Sequence, residues 1–166
     1  LGIAMGVSLQ AVEEAVRTHP EARAVLLVYP TYYGVAAELA AIADFLHAND
    51  MLLLTDAAHG AHFAFSEELP PSAMEAGADL SAESTHKLLG SLTQTSMLLA
   101  RGGRVPTERI RAASGIMQST SPNGERVLPL QFDWRTICVV VSMRSRDCGH
   151  SAQSIWAGRD VLPLTR

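Results

Sequence analysis

Residues 24–55 read AVLLVYPTYYGVAAELAAIADFLHANDMLLLT, and this stretch decides the fold. It opens on a continuous apolar run, 24–29, rich in Val and Leu. Such a run suits a strand buried on both faces. Residues 30–34 (PTYYG) carry the Pro and Gly of a turn. Residues 37–48 then place Leu39, Ile42, Ala43 and Leu46 at the spacing of one helical face. A second apolar run, MLLLT at 51–55, predicts another buried strand. Strand, helix and strand within about thirty residues make a βαβ unit, which predicts a parallel pair with a right-handed crossover.

The pattern extends both ways. Residues 8–18 predict a helix capped by Ser8, with Leu9, Val12 and Val16 on one face and Pro20 at its end. Downstream, we expect a short helix at 72–76, a short strand at 79–82, a strand at 96–100 and a helix at 107–117. Ile110, Ala113 and Met117 are the expected inner face of that last helix. The class is α/β, a mostly parallel sheet with flanking helices. In such sheets ligands bind beyond the carboxyl ends of the strands. Residues 30–34, 56–62 and 84–87 occupy that edge, and all three are rich in polar and ring-bearing side chains.

Composition narrows the function. The chain has 166 residues, 48% hydrophobic and 18% charged, so it can build a core. A net charge of -4 with 13 basic residues argues against a nucleic-acid or anionic membrane surface. No apolar run approaches the roughly 18 residues of a membrane helix. Cys138 and Cys148 match no metal or redox spacing and make no disulfide framework. With no secretory pattern at the start, we expect a cytoplasmic protein. The first residue is Leu, which leads us to expect a piece of a longer chain. Of the 13 basic residues, twelve are Arg and one is Lys, Lys87. Residues 123–166 hold both Trp, both Cys and weak element signals, apart from a candidate strand at 136–143. Two readings of this unassigned tail stand: a poorly patterned extension, or sequence translated out of frame.

Lys87 follows Ser84, Thr85 and His86, directly after the short strand. A lysine amine at a strand edge can be a surface cation or, where burial favours its neutral form, the nucleophile that forms a Schiff base with a carbonyl. Asp56 ends the run MLLLT. It reads as a helix N-cap or, beside a Schiff-base lysine, as the carboxylate that keeps a pyridoxal ring nitrogen protonated. His59 and His62 complete D-x-x-H-x-x-H, a spacing that matches no established metal pattern, so we expect hydrogen-bonded histidines and no metal. Ser84 and Thr85, and a second cluster at Ser119, Thr120 and Ser121, offer hydroxyls to a phosphate.

Residues 82–96, AESTHKLLGSLTQTS, resemble the pyridoxal-phosphate attachment signature of the bacterial ornithine/lysine/arginine decarboxylases. The turn PTYYG and the segment DAAHGAHF at 56–63 are similar to two further motifs of that family, as are LPPSA at 69–73 and EAGAD at 75–79. The resemblance covers residues 1–122 and implies part of an aspartate-aminotransferase-like large domain. It implies pyridoxal 5'-phosphate as cofactor, with Lys87 as its attachment point and Asp56 paired with the ring nitrogen. Ala58 would lie against the ring, and His59 would be a further cofactor-binding residue. Ser84 would bind the phosphate, His86 would sit beside the attachment point, and Ser119 would reach the phosphate of a neighbouring subunit. The implied reaction is decarboxylation of arginine, lysine or ornithine to the amine, in a homodimer or larger oligomer. Aminotransferase or lyase chemistry on the same fold, and a non-catalytic remnant, are the alternatives. Ala57 departs from the family, which commonly has Glu there. The family's phosphate loop and ring-stacking residue would precede residue 1, and its carboxyl-terminal domain would follow.

Overall fold

A computed structural model of the chain describes residues 5–91, 95–101, 103–117, 136–142, 153–157 and 160–161. Helix α1 spans Leu9–Thr18, and the Ser8 hydroxyl accepts the Ala11 N–H (3.2 Å), the cap expected from the sequence. Strand β1 is Ala24–Val28, helix α2 Leu39–Ala48 and strand β2 Leu52–Asp56. A single 3-10 turn, Phe63–Phe65, precedes strand β3 at Leu80–Glu83. The short helix α3, Thr85–Leu88, leads to strand β4 at Thr95–Arg101, and helix α4 spans Thr107–Met117. Strands β5 (Thr136–Ser142), β6 (Gln153–Ala157) and β7 (Asp160–Val161) follow.

The sheet runs in the order β1-β2-β3-β4-β5-β6-β7. β1 pairs with β2 in parallel from Ala24↔Leu52 to Val28↔Asp56, and β2 with β3 in parallel from Leu54↔Leu80 to Asp56↔Ala82. β4 returns antiparallel to β3, and β5, β6 and β7 extend the sheet antiparallel. Over β1 to β4 the sheet is mostly parallel and flanked by helices, the expected α/β class. β5 matches the strand expected at 136–143, whereas β6 and β7 had no clear signal. Among the described residues no helix is long and apolar enough to cross a membrane.

One sheet face carries the main core. Leu27, Leu53, Met97 and Leu99 pack with Val12 of α1 and with Leu39, Ile42, Ala43 and Leu46 of α2. All four expected inner residues of α2 are buried. Each large side chain buried this way contributes roughly 1.5–3 kcal/mol. On α4, Ile110 packs with Ala100, Leu80, Leu98 and Val105.

Three expectations are corrected. β1 is not covered on both faces: Leu26 is 68% and Val28 56% exposed. Side chains alternate across a strand, and α1 and α2 pack on the other face. Residues 72–76 do not form a helix. Ser72 and Glu75 build a capping box, with the Ser72 N–H and hydroxyl both donating to Glu75 Oε2 (2.9 and 2.8 Å). The turn stops at Gly77, whose φ of 105° is left-handed and whose missing Cβ would stand 2.8 Å from Ala43 Cβ. Ala113 is exposed rather than inward.

At the amino end of β3, Asp79 is fully buried. Its Oδ2 accepts the Leu53 N–H (2.8 Å) and lies 3.0 Å from His47 Nε2. Arg104 Nε stands 3.9 Å from Oδ1. One carboxylate thus joins β2, the end of α2 and the segment before α4.

Candidate functional site

Three loops meet beyond the carboxyl ends of β1, β2 and β3. The first leaves β1 at Tyr29, whose N–H donates to Asp56 O (2.9 Å) and whose hydroxyl donates to Pro71 O (2.7 Å). Burial, and then the charge of Glu75, raise the Tyr29 phenol above its ordinary value. The turn that follows is fixed from within. The Thr31 N–H donates to Val35 O (2.9 Å), the Val35 N–H to the Thr31 hydroxyl (3.1 Å), and the Gly34 N–H to Thr31 O (2.9 Å).

The second loop starts at Asp56, the last residue of β2. The Ala57 N–H donates to Ala82 O (2.8 Å), and Asp56 Oδ1 accepts the Ala58 N–H (3.1 Å). Asp56 caps this local turn, and no α-helix follows it. Ala57 is 1% exposed, within the core. Gly60 seats the second loop on the first: a Cβ there would lie 2.9 Å from Pro30 Cδ and 3.0 Å from Tyr29 O. Gly60→Ala is therefore expected to lower stability by about 1–3 kcal/mol, read as a lower urea midpoint at unchanged slope.

The third loop carries α3. Thr85 is buried, its hydroxyl donating to Thr95 O (3.0 Å) and accepting from Ser91 (2.8 Å). His86 Nδ1 lies 2.7 Å from the same carbonyl. A carbonyl oxygen only accepts, so Nδ1 carries the hydrogen, leaving Nε2 as the acceptor in the neutral ring. These bonds hold both sides of the Lys87 turn to the start of β4.

The loops bring most of the expected residues together. Lys87 Nζ lies 3.4 Å from His59 Nε2, across from the second loop. The His59 ring stands perpendicular to Tyr32 of the first loop, with centroids 5.3 Å apart. Asp56 is exposed at the neighbouring strand end, and Ala58, His59, Ser84 and His86 are half-buried. Ser84 makes no side-chain cap hydrogen bond. Lys87 itself is exposed. Ser119, with Thr120 and Ser121, lies outside the described residues. Among the described residues no three His, Cys, Asp or Glu side chains gather as metal ligands. Below the loops, Val28, Asp56 and Ala82 stand in register across β1, β2 and β3, all three exposed. They form an open row at the carboxyl ends of the three strands.

Glu83 was not foreseen, because a lone Glu in sequence normally signals surface. It is 4% exposed on the core face of β3. Burial pushes its carboxyl from the ordinary 4.5 up to about 7, and the Ser81 hydroxyl bond (3.3 Å) pulls it back only partly. Between those values the folded chain holds a proton that the unfolded chain has released. Stability therefore falls as pH rises from about 4.5 to about 7, by about 3 kcal/mol, and levels off above. Glu83→Gln, neutral throughout, should remove that slope in urea melts recorded across the window. The tethers at Thr85, Ser91 and Thr95 were also not foreseen. Their only signal was a run of hydroxyl residues around Lys87.

The site's loops and their spacing match a known family. The sequence profile described as "Orn/Lys/Arg decarboxylase, major domain" matches residues 1–127. The chain belongs to the Orn/Lys/Arg decarboxylase family. An arginine decarboxylase of Halalkalibacterium halodurans is 47% identical over 121 residues, 73% of this chain and 25% of that protein. An arginine decarboxylase of Bacillus subtilis strain 168 is 46% identical over 121 residues, again 25% of that protein. The chain thus spans about a quarter of the length of the curated relatives it matches. Every described residue of the candidate site assembled above lies within the matched segment.

Proposed function

We propose that this chain is the cofactor-binding part of a pyridoxal-phosphate-dependent decarboxylase of basic amino acids. The observation that carries the reading is the single lysine, Lys87, set in α3 just after β3, with its amine 3.4 Å from His59 and with Asp56 ending the strand beside β3. The donor set fits the cofactor: one amine, one carboxylate, one hydroxyl free of capping duty at Ser84, and an open row at Val28, Asp56 and Ala82.

When bound, pyridoxal phosphate supplies an electron-accepting ring that takes up the pair left at Cα as the carboxylate departs as carbon dioxide. Lys87 Nζ would be the attachment point for the cofactor. Asp56 holds a proton at the ring nitrogen, and a carboxylate suits that task because its charge favours the protonated partner. The Ser84 hydroxyl donates to a phosphate oxygen. Ala58, with its small side chain, leaves room beside the ring, and His59 bounds the Lys87 side. A proton must then return to Cα, and either the Lys87 amine or a His86 ring that has first taken up a proton at Nε2 would deliver it. Arginine is the first substrate to try, since the relatives described above carry that name. Lysine and ornithine belong to the same reading through the family. So do a cofactor-binding unit over residues 1–122, a cytoplasmic setting, an assembly of two or more copies, and a phosphate contact from Ser119.

The test is direct. The chain is incubated with pyridoxal phosphate and reduced with borohydride, and its peptides are mapped by mass. A reduced adduct on Lys87 is expected, and an unmodified Lys87 peptide rejects the reading.

A further inference from the structure

The first loop presents two large rings that the core does not use. Tyr32 is 76% and Tyr33 62% exposed, although the turn carrying them is fixed by its own hydrogen bonds and by buried Pro30 and Thr31. The two rings are perpendicular, 89° apart in plane with centroids separated by 5.6 Å, so they form a corner. Tyr32 also stands perpendicular to His59, at 5.3 Å, and His59 touches the Lys87 amine. The sequence of contacts is therefore Lys87, His59, Tyr32, Tyr33, an aromatic row leading away from the amine.

We propose that Tyr32 and Tyr33 form a subsite for the guanidinium group of an amino acid whose α-amine is held at Lys87. The inference rests on the decarboxylase reading and adds to it the residues that recognise the distal charge. Reach supports it: an extended arginine side chain places its guanidinium roughly 6–7 Å from Cα, given ordinary bond lengths. That length spans His59 and brings the group to the Tyr32 ring. Charge supports it too. Tyrosine faces attract cations, and the flat, weakly hydrated guanidinium stacks on them better than an ammonium does. Among the described residues, Arg101 and Arg104 lie toward the amino end of β3, the Arg101 backbone N–H on Asp79 O and the Arg104 guanidinium beside the Asp79 carboxylate.

The chain contains three tyrosines, and the third, Tyr29, is 1% exposed and serves as an internal control. Tyrosine-labelled chain is titrated with arginine and with citrulline, its uncharged counterpart, while ring resonances are followed by NMR. The Tyr32 and Tyr33 signals should move saturably with arginine, and the Tyr29 signal should not. Citrulline should bind at least about tenfold more weakly, as expected where the charge supplies the attraction. Tyr32→Leu should weaken arginine binding by roughly three- to thirtyfold, and Tyr32→Phe should restore it, since the ring face is kept. Equal responses to citrulline and arginine, or a Tyr32→Leu variant that binds arginine unchanged, overturn the proposal. Failure of the parent reading shows elsewhere. A labelled Lys87 with unresponsive tyrosines rejects the subsite alone. An unlabelled Lys87 with responsive tyrosines rejects the cofactor reading and keeps the subsite.

Discussion

Lys87→Ala is expected to erase the borohydride-stable cofactor adduct completely and to reduce decarboxylation to background in the enzyme that contains this segment. The measurement is unusually clean, because the chain has no second lysine to take the label. Loss of folding does not confuse it. Lys87 is exposed, and a surface substitution away from the core changes stability by only about 0.5 kcal/mol. Lys87→Arg should fail equally. Arginine keeps the positive charge but stays protonated, so it offers no free amine to a carbonyl. That variant separates the chemistry from the charge. An adduct that persists in the Lys87→Ala chain, mapped to any side chain, would sink the assignment.

Asp79→Ala should give the largest loss of stability, about 3–5 kcal/mol, seen as a marked fall in the urea midpoint. The carboxylate is fully buried, and its removal strands the Leu53 N–H and the His47 ring that now share Oδ2. A domain of this kind is stable by only about 5–15 kcal/mol in total, so the loss is a large fraction of it. His47→Gln should cost less, about 1–3 kcal/mol, because the Leu53 N–H keeps its acceptor. If Asp79→Ala melts at the wild-type midpoint, the three-element joint contributes nothing.

The framework was legible because it is periodic. The inner face of α2, the two strands around it and the Ser8 cap follow directly from spacing. The joining of Lys87 to His59 was legible at the level of loops, since strand ends in an α/β sheet gather on one edge. Three features were hidden for physical reasons. Leu26 and Val28 look like core because both faces of β1 are apolar, so the alternation that would mark an open face is invisible. Glu83 looks like surface because burial of a carboxylate depends on its neighbours in space. Gly60 looks like any loop glycine until Pro30 and Tyr29 are placed against it. For Glu83 and Gly60 the missing information was a contact in space, and for Leu26 and Val28 it was the lack of a covering one.

The sheet order has a consequence for how the chain comes to exist. Each strand lies beside its neighbour in sequence, from β1 through β4. During synthesis, each strand from β2 to β4 finds its partner already made and already adjacent. Such nearest-neighbour assembly keeps loop closures short and favours rapid folding. Two arms of the Asp79 joint, Leu53 and His47, precede Asp79 in the chain, and the third, Arg104, follows it. Lys87 arrives after β2 and its Asp56, and Thr95 of β4, made later still, then ties its turn down.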